Sequence, residues 1–87
     1  MTKYLAEFIG TFLLMLVILV TNNYLAIGAT LALIFLSMSS VSGAAVNPAV
    51  AIGYYAVGKI SKHMLIPYII AEVLGALIAF EVYNRFF

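Results

Sequence analysis

The chain has 87 residues, 67% of them hydrophobic and 8% charged, with a net charge of +1. A soluble domain carries about a quarter charged residues, so this chain is built to be solvated by lipid, and neither nucleic acid nor an acidic partner is implied. It has no cysteine and one histidine, His63, which excludes a disulfide, a thiolate nucleophile and a cysteine metal site and leaves little for metal binding. No metal or cofactor is expected.

The first apolar run, Tyr4 to Val20, contains Glu7 as its only charge. With its flanks it predicts a membrane span over residues 4–22, about the 20 residues needed to cross the hydrocarbon core. It is too long for the core of a signal peptide, and no small-residue cleavage pattern follows. Thr21-Asn22-Asn23 is a turn signal. The second run starts at Tyr24 and predicts a span over 24–41, using Ser39 to Val41 to reach full length. A third span is predicted over 65–85, interrupted by Glu72 and Glu81.

Between the second and third spans lies "VSGAAVNPAVAIG", Val41 to Gly53. Asn47 is a good N-cap and Pro48 suits the first helical position, where its missing N–H costs nothing. A half-helix is therefore expected over 48–57, ended by Gly58. That is too short to span and is the length of a re-entrant or buried segment. Ser42 to Val46 are expected to lead into it as extended chain. The fold class is thus an all-α membrane protein: one domain, residues 1–87, with three transmembrane helices, one re-entrant half-helix and no internal repeat.

Lys3, Lys59 and Lys62 fall on one side of a three-span chain and Arg85 on the other, which predicts a cytoplasmic N-terminus. Tyr4, Tyr24, Tyr68, Tyr83, Phe86 and Phe87 lie near span ends and read as an interfacial aromatic belt. Small residues four apart, at Ala6/Gly10, Gly28/Ala32 and Ala71/Gly75/Ala79, allow close helix approach. Glu81 and Arg85 have the favourable i, i+4 order of an interfacial ion pair. A Glu within a span is a functional candidate by default, and Glu7 could alternatively pair with Lys3 one turn earlier.

Irregular backbone at membrane depth is tolerated where it lines a water-filled cavity. A half-helix starting at the midplane places the positive end of its dipole there and repels cations, protons included. The Asn47 amide can offer N–H donors to a solute, and the carbonyls of residues 43 to 46 can offer acceptors. Together these describe a selective path for a neutral polar solute.

Three blocks carry a family resemblance: "AEFIGTF" (Ala6 to Phe12), "SGAAVNPAVAIG" (Ser42 to Gly53) and "YIIAEVLGALIA" (Tyr68 to Ala79). In this order and spacing the chain resembles the N-terminal half of the aquaporin, or major intrinsic protein, family. The resemblance implies half of the aquaporin fold, with Asn47, Pro48 and Ala49 as the pore signature. Val50 stands where the second repeat of the family carries Arg. Gly43, Ala44 and Ala45 belong to the pore-lining loop, and Ala45 replaces a usual His. Ile27 falls where many water-selective members have a constriction aromatic. Glu7 matches the family's buried brace for the pore loop. Glu72 replaces a usual Gln and is expected to brace the loop as well.

The implied activity is passive, with no bond made or broken: a channel component for water or small neutral solutes such as glycerol, completed by a second half. The implied partners are membrane lipid, the solute, and either further copies of the chain or a complementary channel half. Two other readings stand beside it. One is a non-conducting or regulatory fragment that associates with full-length channels. The other is a small dual-topology proton-coupled antiporter using Glu7, which leaves Asn-Pro-Ala unexplained.

Overall fold

The computed structural model describes all residues from Met1 to Phe87. It contains four helices and no strand: α1 (Thr2–Thr21), α2 (Tyr24–Ser42), α3 (Pro48–Ala56) and α4 (Lys62–Phe86). Three of them, α1, α2 and α4, are long and apolar enough to cross a membrane. The molecule measures 38 × 23 × 20 Å, and its long axis exceeds the roughly 30 Å hydrocarbon core of a bilayer.

Local chemistry sets the helix ends. Asn22 closes α1 in the left-handed conformation, and Asn23 opens α2 by accepting from the Ala26 N–H at 2.9 Å. Two adjacent Asn residues thus supply a C-terminal stop and an N-terminal cap. α4 starts at Lys62, ahead of the apolar run that begins at Leu65, because the polar residues after the Ser61 N-cap continue the helix. α3 stops at Ala56, with Val57 as its C-cap. Gly58, with φ +82°, takes the turn that follows.

α1 is the central helix. It packs against α4 and α2, which flank it without packing on one another, while α3 lies against α4. α1 and α4 run parallel. Near their starts the Tyr4 and Tyr68 rings meet edge to face at 5.7 Å. One to two turns on, Gly75 meets Phe8 to Phe12 so closely that a Cβ there would lie 2.5 Å from the Phe8 carbonyl oxygen. Gly10 makes the other close approach: a Cβ on it would fall 2.7 Å from Val46 Cγ1, beside Ile34 and Met38. Gly28, by contrast, has nothing within 4 Å of an added Cβ, so the Gly28/Ala32 row serves no helix contact within the chain.

Only 16 of the 87 residues are buried, and the exposed ones include Leu25, Leu33, Leu36, Ile66, Leu77 and Phe80. Lipid is the solvent that tolerates such a surface. The chain is an integral, multi-pass membrane protein. Tyr68 departs from the aromatic belt: it is 1% exposed, and its hydroxyl donates to the Ser42 carbonyl at 2.8 Å. Parallel packing of α1 and α4 draws it inward, against Tyr4.

Candidate functional site

The segment between α2 and α3 folds back into the bundle by leaving the extended region. Gly43, Ala44 and Val46 have φ of +85°, +50° and +43°. The expectation of an extended lead-in is therefore corrected. Left-handed residues turn the chain from the end of α2 to the start of α3 across the five residues 43 to 47. Non-glycine residues held there cost about 1 to 3 kcal/mol each and persist only when the surroundings hold them.

Glu7 is what holds them. It is completely buried and accepts three hydrogen bonds from the loop: Ser42 Oγ at 2.6 Å and the Ala45 N–H at 3.1 Å on Oε2, and the Val46 N–H at 2.8 Å on Oε1. Ser42 Oγ in turn accepts from the Ala44 N–H at 3.1 Å. Lys3 makes no ion pair with Glu7 and lies instead 5.4 Å from the centre of the Tyr4 ring. Glu72 is 1% exposed, and neither carboxyl oxygen has a hydrogen-bond partner. It does not bond the loop as Glu7 does.

With the loop N–H groups committed inward, the carbonyls of Ala44, Ala45 and Val46 accept no hydrogen bond within the chain. The Gly43 carbonyl is taken by the Tyr54 hydroxyl at 2.9 Å, and the Lys59 Nζ sits 4.2 Å over the Tyr54 ring. Asn47 is exposed. Its Oδ1 accepts from the Ala49 N–H at 2.8 Å, which leaves both Nδ2 hydrogens to donate elsewhere. Pro48 is the first residue of α3.

An open-sided groove of about 710 Å³ runs along this face, lined by Gly28, Leu31, Ala32, Phe35 and Leu36 of α2, Ala44 and Ala45 of the loop, and Val50 and Tyr54 of α3. The sequence-derived set is thus divided. Ala44, Ala45 and Val50 line the groove. Gly43 is buried behind it, while Asn47, Pro48 and Ala49 form the loop-to-helix junction. Ile27 is half-buried on α2 next to Gly28 and is not among the lining residues.

A family model described as Major intrinsic protein matches residues 1–87, the whole chain. The chain belongs to the major intrinsic protein family. Its relatives include "Aquaporin Z" of Bradyrhizobium diazoefficiens, 33% identical over 96 aligned positions that cover 93% of this chain and 40% of the relative. "Glycerol uptake facilitator protein-like 6" of Lactiplantibacillus plantarum is 36% identical over 88, covering 91% of this chain and 41% of that protein. "Aquaporin AqpM" of Methanothermobacter thermautotrophicus is 42% identical over 55, covering 63% and 22%. This major intrinsic protein chain spans about two-fifths of the length of the first two. No solved structure matches it.

Sequence reasoning gave no role to Tyr54, the Ser42 hydroxyl or the buried hydroxyl of Tyr68. Tyr54 left one signal: it lies two turns after Asn47 and is one of two adjacent polar-tipped rings, with Tyr55, in a helix otherwise made of apolar and small residues.

Proposed function

We propose that this chain forms one wall of a passive membrane pore for water or small neutral solutes, and that a second half completes it. The observation that carries the reading is the loop-to-helix junction. Three unpaired carbonyls lead to an Asn whose side-chain acceptor is used and whose donors are free, at the positive end of a short helix. Such a line of acceptors and donors can replace a solute's hydration. The dipole disfavours cations. No bond is made or broken, so the chain acts as a channel component and not as an enzyme. The names of its relatives, aquaporin and glycerol uptake facilitator, support water and glycerol as the first solutes to try. The apolar groove beside the junction leaves the path open on one side, which is where a further copy or a complementary half belongs. In this reading the N-terminus is cytoplasmic.

Stopped-flow light scattering on proteoliposomes tests it, with the chain alone and co-reconstituted with the C-terminal half of an aquaporin relative. Water or glycerol flux above that of empty vesicles is expected in at least one preparation. Asn47→Asp keeps the cap, since Asp is as good an N-cap as Asn, but removes both donors and adds a negative charge. The variant should stay folded and lose flux. Folded wild-type chain with the flux of empty vesicles in both preparations would sink the proposal.

A further inference from the structure

Glu72 is the buried group that the loop geometry leaves unused. It is 1% exposed, and both its oxygens lack a hydrogen-bond donor. An ionised carboxylate in that state, at membrane depth, is among the costliest arrangements a protein can hold. Its position relative to Glu7 follows from the parallel register of α1 and α4. Tyr4 meets Tyr68 on one side of it, and Thr11 meets Gly75 on the other. Glu7 and Glu72 lie between these two contacts, each three or four residues from both, so the register sets them at one level of the α1–α4 contact.

The Tyr68 hydroxyl donates to Ser42. The Asn47 backbone N–H has no acceptor elsewhere in the chain and is the one free donor near Glu72. Tyr4 is the remaining titratable group close by, and the loop contributes the Ser42 hydroxyl and no charge. Glu7, meanwhile, has spare capacity. A carboxylate offers about four lone-pair sites. The loop takes two on Oε2 and one on Oε1, which leaves one on Oε1.

We propose that Glu7 and Glu72 share a single proton: Glu72 is the neutral carboxylic acid and donates its O–H to the free site on Glu7 Oε1. Two apposed buried carboxyl groups cannot both ionise, and one proton between them removes the conflict. The arrangement satisfies the fourth acceptor site of Glu7, gives the unpartnered Glu72 a bond, and leaves a single negative charge beneath the loop N–H groups. Glu72 is then a positioning residue, acting on the loop through Glu7.

The composition makes this testable. The chain has three side-chain carboxyl groups, Glu7, Glu72 and Glu81, and no Asp. Infrared spectra of the full chain in ether-lipid vesicles, whose lipids have no ester carbonyl to overlap the acid band, are recorded at pH 7 on the Glu81→Gln background, where only the pair remains among the side chains. The expected result is the carbonyl band of one protonated carboxyl group, with an amplitude of one per chain. Adding Glu72→Gln, which keeps a donor toward Glu7 but carries no acid, should abolish the band. Carboxylate bands alone on the Glu81→Gln background would overturn the proposal and would point to a water or a cation beside Glu72. That spectrum decides even where the Glu72→Gln chain does not fold.

Discussion

Asn47 divides its amide between two tasks. Oδ1 caps α3 through the Ala49 N–H, and the Nδ2 hydrogens stay free. A residue that could only cap, or only donate, would lose one of them. Glu7 is specialised in another way, because it has only acceptors to give and the loop presents only donors. Glu7→Gln replaces one acceptor oxygen with an NH2 group that faces those donors. Each loop donor left without a partner should cost about 1 to 3 kcal/mol. Reversible unfolding in mixed micelles measures the loss. A change below about 0.5 kcal/mol, the usual range for a neutral surface substitution, would remove Glu7 as the support of the loop. The sequence marked a Glu within a span as a candidate for a role. Which atoms it holds was not legible there, because Ser42, Ala45 and Val46 are more than 30 residues away along the chain.

Among the helices, α1 carries the assembly, and its two flanks depend on two glycines, Gly75 against α4 and Gly10 against α2 and the loop. At Gly75 an added Cβ would meet backbone, which cannot swing away, so Gly75→Ala must push α4 off α1. Overpacking of this kind costs about 1 to 3 kcal/mol. Gly28→Ala, on the open face of α2, meets nothing and should stay within about 0.5 kcal/mol. The same unfolding measurement separates the two, and equal effects would contradict the α1–α4 contact. Gly75 and Gly28 both sit in rows of small residues that look alike in the sequence. Spacing alone shows that a row can pack, while the packing partner comes from the fold. The turns were easier to read, since Asn22-Asn23 and Asn47-Pro48 act on their immediate neighbours.

For the whole molecule, α1 and α4 start on the same side, as their parallel contacts require. Lys3 and Lys62 therefore share one side of the bilayer and Arg85 takes the other. The absence of native cysteine allows single-site labelling with a membrane-impermeant maleimide in sealed vesicles. Lys3→Cys and Lys62→Cys should label from the same side, and Arg85→Cys from the opposite side. Labelling of Lys62→Cys and Arg85→Cys from one side would refute a three-span chain. Half-labelling of every site from each side would show insertion in both orientations. The groove along α2 and α3 belongs to this scale too, because its residues come from three separate stretches of the chain.

The sequence by itself determined the solvent, the spans and the break. Composition demands lipid, run length sets the number of crossings, and Asn-Pro starts a helix wherever it stands. These are local or summed properties that need no partner across the fold. The tertiary structure decided the left-handed turns between Gly43 and Val46 and the burial of Tyr68 and Glu72. Each depends on a contact between residues far apart in sequence. A left-handed alanine or valine is unfavourable alone; here the Ser42 hydroxyl takes the Ala44 N–H, and a buried carboxylate on another helix collects that hydroxyl and the N–H groups of Ala45 and Val46.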